Sequence, residues 1–296
     1  MALRVLELFG GIGACTCALK RMGIPIEIVD YVEIDRFAVS SYNAINDTNF
    51  TPQDVRTWDK DVQVDFLLHG SPCQDFSLAG LQKGGDKGSG TRSSLMYETL
   101  RIVNKLKPKY VIWENVANLL SEKHFHNFAN YLNAMAEFGY ASAYKLLNAK
   151  DYGIPQNRER VFVVSVLDGI SCDLLGEELL FEFPKPIPLK LRLRDMLEEN
   201  VDEKYYLSQK GIDYILNDER IGGGYTNVNP SIAIPVTAKG QTNWTGSFIE
   251  PTQSLSMSRT SISAKTDALE QSLLTDHRQS TITEFSRGGG YKSEDR

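Results

Sequence analysis

The chain has 296 residues but only four cysteines and four histidines. Cys15, Cys17, Cys73 and Cys172 form no Cys-x-x-Cys pair and no Cys/His cluster. That argues against a structural zinc, and no metal is expected. So sparse a set also makes a poor disulfide framework for a chain of this size. No apolar run approaches the roughly 20 residues that cross a bilayer, so no membrane role is expected. Met1-Ala2-Leu3-Arg4 leads straight into a strand-like run with no apolar leader, and the expected compartment is the cytoplasm. An excess of cations is missing too: the formal net charge is -6. This argues weakly against a nucleic-acid partner, because a basic cleft can coexist with an acidic surface.

What is present is an ordinary globular composition, with 42% hydrophobic and 24% charged residues. It suffices for one large domain, alone or with a smaller one. Apolar runs alternate with amphipathic ones. Strands are predicted at Arg4–Phe9, Ile26–Val32, Val64–His69, Tyr110–Trp113, Ala141–Leu147 and Val161–Leu167. Helices are predicted at Gly13–Met22, Arg36–Asn43, Ser94–Leu106 and Phe125–Phe138. Such alternation implies a doubly wound α/β sheet, with ligands at the carboxyl ends of its strands. Pro184, Pro186 and Pro188 interrupt the pattern at Phe183–Leu189, which reads as an interdomain linker. Beyond it, Leu191–Glu199 and Ser208–Asn217 read as helices, and Ile221–Trp244 as short strands and loops. After about Thr252 the apolar period fades, and residues 252–296 read as a disordered or degenerate tail.

Leu8-Phe9-Gly10-Gly11-Ile12-Gly13 lies between a predicted strand and a predicted helix. Glycines there let backbone approach a ligand at a helix N-terminus. Glu33 follows the second strand, where a carboxylate can take the two hydroxyls of a ribose. Asp54, after the next segment, is suited to an adenine amino group. Together these features suggest an adenosine-bearing cofactor without separating NAD from S-adenosylmethionine. Next comes His69-Gly70-Ser71-Pro72-Cys73-Gln74-Asp75-Phe76-Ser77, directly after a buried-strand run. A free cysteine is usually buried and inert. Cys73 instead sits among polar and glycine neighbours at a strand's carboxyl end, where a thiolate acts as a nucleophile.

Pro72-Cys73-Gln74-Asp75-Phe76-Ser77 resembles the nucleophile motif of the DNA (cytosine-5)-methyltransferases of bacteria and phages. Other signatures appear in that family's order. Phe9-Gly10-Gly11-Ile12-Gly13 resembles its cofactor loop, and Trp113-Glu114-Asn115-Val116 its Glu-Asn-Val motif. Gln156-Asn157-Arg158-Glu159-Arg160-Val161, led into by Asn148–Pro155, resembles its Gln-x-Arg-x-Arg motif. The resemblance is close over residues 4–167. It implies a Rossmann-like methyltransferase sheet in residues 1–183 and a smaller, incomplete target-recognition domain in residues 184–251. It implies S-adenosylmethionine as methyl donor, held by Phe9–Gly13, Glu33, Ile34, Asp54, Val55 and Pro72. Duplex DNA with a flipped cytosine is the implied partner, reached by Gln74, Ser77, Lys87 and Arg92. Cys73 is the implied nucleophile at cytosine C6. Glu114 faces N3 and the exocyclic amine, Arg160 the base O2, and Arg158 supports the site.

Glycine-rich Gly80–Arg92 is expected to be a loop that closes over DNA. Gly222–Tyr225 and Lys239–Trp244 are candidate base-reading loops. The family's closing Gly-Asn-Ser-Val motif has no match after Pro251. The expectation is a truncated or frameshifted enzyme, with completion by another chain or fragment, or a diverged cofactor lid, as the alternatives. The implied setting is restriction–modification or phage self-protection. Three rivals stand beside this reading. A tRNA methyltransferase shares Pro-Cys and Glu-Asn-Val, and a choice of methyl acceptor separates it. An inactive DNA-binding remnant fits the missing C-terminal motifs but leaves Cys73, Glu114, Arg158 and Arg160 unexplained. A dehydrogenase rests on the glycine loop alone.

Overall fold

The computed structural model describes residues 1–72, 95–167, 181–199, 201–216, 226–236 and 245–250. The chain divides into two compact units, Met1–Lys190 and Leu191–Arg296.

The first unit runs β1 (Leu3–Leu8), α1 (Ala14–Arg21), β2 (Ile26–Val32), α2 (Arg36–Asn46), β3 (Phe66–His69), α3 (Met96–Leu106), β4 (Tyr110–Val116), α4 (Phe125–Glu137), β5 (Tyr140–Asn148) and β6 (Glu159–Leu167). The six strands form one sheet in the order β2-β1-β3-β4-β6-β5. Strands β2, β1, β3 and β4 are mutually parallel. The path leaves β1 toward β2, then crosses back to β3 on the other side. That reversal makes a crevice at the carboxyl ends of β1 and β3, where open α/β sheets take their ligands.

Period-2 alternation decides what β1 packs against. Leu6 and Leu8 join the main core with Met96, Leu100, Ile102 and Val103 of α3 and Phe128, Tyr131 and Met135 of α4. Val5 joins a second cluster with Leu19 of α1 and Leu68 of β3. On α3 the buried set Met96, Thr99, Leu100 and Val103 follows the helical i, i+3, i+4, i+7 spacing. The helix stops at Lys107 in the left-handed conformation, just before Pro108.

Periodicity identified β5 and β6 as strands but not their direction. Both β4–β6 and β5–β6 are antiparallel. The start of β6 therefore lies beside the end of β4, with Arg160 opposite Val116 and Phe162 opposite Glu114. The proline segment is pinned to this unit rather than hanging between the two. Ile187 N–H donates to the Asp151 carbonyl at 2.8 Å, and the Tyr152 hydroxyl to the Pro184 carbonyl at 3.0 Å. These bonds account for a division that falls only after Lys190.

The second unit holds α5 (Gln209–Ile215), capped by the Ser208 hydroxyl, and a parallel pair, β7 (Thr226–Val228) and β8 (Gly246–Phe248). The helix expected over Leu191–Glu199 is only a 3-10 turn, Leu193–Met196. Leu191, Met196 and Leu197 are all exposed, so no buried face extends it. The expected base-reading loops, the tail 252–296 and the glycine-rich loop Gly80–Arg92 lie outside the described residues. Among the described residues no helix is long and apolar enough to cross a membrane, and no three His, Cys, Asp or Glu side chains group as metal ligands.

Candidate functional site

The carboxyl end of β1 turns through Phe9 at φ +54°, Gly11 at +53° and Gly13 at +85°. A phenylalanine in the left-handed region is strained, which is common where a loop is shaped for a task. Beneath the turn, the rings of Tyr31 and Tyr42 stack at 3.8 Å. A Cβ at Gly10 would meet the Tyr31 ring at 2.7 Å, and one at Gly13 the Tyr42 ring at 2.7 Å. Only glycine lets the loop sit this low. The Tyr31 hydroxyl donates to the Gly11 carbonyl, and the buried Glu7 carboxyl accepts from the Thr16 hydroxyl. Burial pushes Glu7 up to about 7, against the hydrogen bonds from Thr16 and Tyr42.

Glu33 joins the end of β2 to this loop. One of its oxygens accepts from Ile34 and Asp35 N–H at 2.8 and 2.9 Å, and the other from Gly11 N–H at 3.2 Å. Ile34 beside it is exposed. Asp54 is half-buried and accepts from the Arg56 backbone N–H and guanidinium. Those bonds, set against a small burial penalty, hold its carboxyl below the usual range. The Val55 side chain is buried in the main core. Nothing lies within 4 Å of where a Cβ on Gly11 would stand. An open glycine backbone, a strand-end glutamate, an exposed isoleucine and an acceptor aspartate suit the ribose and adenine of an adenosine-bearing cofactor.

The ends of β3 and β4 build the other half. Arg160 Nε lies 3.0 Å and Arg158 Nη2 3.5 Å from the same Glu114 oxygen, Oε1. The second oxygen, Oε2, lies alongside Gly70, where an added Cβ would stand 3.8 Å from it. One oxygen is thus paired with two guanidiniums while the other lies beside Gly70, two residues before Pro72. The Ser71 hydroxyl accepts from Trp113 Nε1 at 3.0 Å, and the Ser71 carbonyl from Asn115 Nδ2 at 3.3 Å. Residues flanking Glu114 therefore tether the strand end that leads to Cys73. Behind it, buried His69 bonds Tyr131 at 3.0 Å, and burial holds it down near 3, hence neutral.

Arg158 is placed from its own side. Asn148 Oδ1 accepts the Arg158 backbone N–H at 3.0 Å, and Asn148 Nδ2 donates to Asn157 at 2.7 Å. Sequence reasoning assigned no role to Asn148, Ser71 or Trp113, although each lay inside or beside a quoted motif. Cys73, Gln74, Ser77, Lys87 and Arg92 lie outside the described residues. Cys15 makes a useful contrast. Burial, then the charges of Glu7 and Glu114, push its thiol up to about 12, so it stays an unreactive thiol at neutral pH.

Comparison with known proteins adds the following. The model of the C-5 cytosine-specific DNA methylases matches residues 3–292, which includes most of the stretch after Pro251. The type II methyltransferase M2.ScrFI of Lactococcus lactis subsp. cremoris is 34% identical over 265 residues, covering 71% of this chain and 71% of that protein. The orphan methyltransferase M.SPRI of Bacillus phage SPR is 34% identical over 267 residues, covering 77% of this chain and 59% of that protein. Among solved structures, Spodoptera frugiperda DNMT2 superposes with a TM-score of 0.65 at 23% identity, covering 91% of this chain and 80% of that one, a likeness of fold.

Proposed function

The chain belongs to the C-5 cytosine-specific DNA methylases, and from that premise we propose that it transfers a methyl group from S-adenosylmethionine to C5 of cytosine in duplex DNA. The observation that carries the reading is Glu114, with Oε1 on Arg158 and Arg160 and Oε2 beside Gly70, two residues before Pro72. The catalytic domain expected at residues 1–183 extends through the pinned proline segment to Lys190, and the rest, to residue 251, is the part that meets the DNA groove. The setting is restriction–modification or phage self-protection, in a bacterial or phage-infected cytoplasm.

Cytosine C5 is a poor nucleophile, and the target base must leave the helix to be reached. The Cys73 thiolate attacks C6, and the C5=C6 electron pair moves toward C5 and N3. Glu114 shares a proton from Oε2 with N3 as electrons arrive there and accepts from the exocyclic amine, while Arg160 donates to the base O2, so charge that develops on the ring meets fixed donors. S-adenosylmethionine, when bound at Phe9–Gly13, Glu33, Ile34, Asp54, Val55 and Pro72, supplies an electrophilic methyl group. Loss of the C5 proton to a base then returns its electron pair to the ring and expels the Cys73 sulfur. Gln74, Ser77, Lys87 and Arg92 meet the DNA.

The test is transfer of labelled methyl from S-adenosylmethionine to mixed duplex DNA, with tRNA as a parallel acceptor. Label on DNA that is lost in Cys73→Ala is the expected result. Label on tRNA alone would move the substrate to RNA, a reading that Pro72-Cys73 and Glu114-Asn115-Val116 also fit. No label from folded protein would leave a DNA-binding remnant, or a chain that needs a complementing fragment.

A further inference from the structure

Asp54 and Val55 sit on a segment, residues 53–60, that has no regular structure beyond a turn. One side of it faces an open surface hollow of about 480 Å³ lined by the segment's own residues, among them Gln53, Asp54, Thr57 and Trp58. Packing therefore does not fix the segment from that direction. From other directions the buried side chains of Val55 and Trp58 anchor it to the core, Lys105 holds Asp59, and two further charged side chains bracket Asp54.

Asp30, buried in β2, is the first. Its Oδ1 accepts from Gln53 Nε2 at 2.8 Å and from Tyr31 N–H at 2.9 Å. Its Oδ2 accepts from Trp58 Nε1 and Lys60 Nζ, both at 2.7 Å. Burial alone would raise this carboxyl, but the bonds from Lys60, Trp58 and Gln53 hold it below the usual range. Arg101 on α3 is the second. Its Nη2 donates to the Val55 carbonyl at 3.0 Å and the Trp58 carbonyl at 2.9 Å, and its Nε to Glu98 at 2.9 Å. Gln53 is thus tied on one side of Asp54 and Val55 on the other.

We propose that Asp30, which ties Gln53, Trp58 and Lys60, and Arg101, which ties the Val55 and Trp58 carbonyls, are positioning residues that clamp the segment around Asp54 and aim its carboxylate at the 6-amino group of adenine. The inference rests on the reading that an adenosine-bearing cofactor binds here. Neither residue touches the cofactor; each acts through the segment. The clamp's product is discrimination, not merely affinity. A carboxylate accepts from a 6-amino group and repels a 6-oxo group.

The experiment is calorimetric titration of the full chain with S-adenosylhomocysteine and with S-inosylhomocysteine, its 6-oxo counterpart. The wild type is expected to prefer the adenine form by at least about tenfold, the value of one charge-assisted hydrogen bond. Arg101→Ala and Asp30→Asn are expected to bring that preference below about threefold, and Arg101→Lys to restore part of it. Far-UV circular dichroism and melting confirm folded variants. Arg101 lies at the surface, so its variants keep the test open if Asp30→Asn fails to fold. A preference retained in Arg101→Ala, whether or not both affinities fall together, overturns the clamp. So does a wild type that binds both ligands alike. A wild type that binds neither overturns the cofactor reading itself, visible before any variant is made.

Discussion

The two halves of the sheet edge are built by different means. On the cofactor side the acids bond mostly close neighbours in sequence, with one longer reach from Glu33 to Gly11 N–H across 22 residues. Glu33 takes the next two backbone amides, and Asp54 takes Arg56 two residues on. On the base side Glu114 meets Arg158 across 44 residues, and that meeting exists only because β6 runs antiparallel to β4. Local acids shape a loop wherever that loop lies. A long-range carboxylate and its two guanidiniums exist only when the sheet is in register, and a slip of one residue would move one partner to the other face. On the proposed function, the difference makes cofactor binding and base activation separable, although both would sit at one crevice.

The sharpest way to break that comparison is Glu114→Gln. The substitution keeps shape and removes the charge that Arg158 and Arg160 both face. Methyl transfer to DNA is expected to fall about a hundredfold or more, the usual cost of losing one preorganised group at developing charge. Binding of S-adenosylhomocysteine, measured by calorimetry, is expected to stay within about twofold. Equal loss of both would show that the two halves are one unit.

A smaller effect is expected under the glycine loop. Glu7 is buried, and its folded-state value near 7 lies above the ordinary 4.5. Between those values the folded chain keeps a proton that the unfolded chain has released. Stability must therefore fall as pH rises through that window and level off above about 7. Glu7→Gln removes the titration. Urea unfolding at pH 5 and pH 8 is expected to show wild type losing about 2 kcal/mol more than the variant between the two. Parallel pH profiles would mean that Glu7 does not change charge there.

How much of this was legible follows the same division. The span Ile26–Val32 was read from its apolar run and is β2 as observed. Glu33 was readable because a strand-end acid is a local feature. Glu114 with Arg158 and Arg160 was reachable only through a resemblance, since periodicity carries no information on strand direction. Val55 was named for the cofactor, and its side chain lies in the core at a turn. Ser71, Asn148 and Arg101 carried no signal of their own. Their partners are backbone carbonyls and amides or a tryptophan N–H 42 residues away, and hydrogen bonds of that kind leave no pattern in sequence. The Leu191–Glu199 stretch failed for the opposite reason: a plausible helical pattern had no surface to bury itself on.

The least consequential charge at the site is expected to be Arg56. Its guanidinium lies against both Asp54 oxygens, a contact whose geometry alone suggests importance. Its side chain is 64% exposed, however, and it bonds an acid only two residues away. Water screens such a pair, and exposed ion pairs contribute little. Asp54 also has the Arg56 backbone N–H, which a substitution leaves in place. Arg56→Ala is therefore expected to change S-adenosylhomocysteine affinity by less than about threefold, with the remaining difference shrinking as salt is raised from 50 to about 500 mM. A loss beyond tenfold that salt does not reduce would mean that a sequence-local ion pair carries the site. The contrast between local and long-range construction would then fail on the cofactor side.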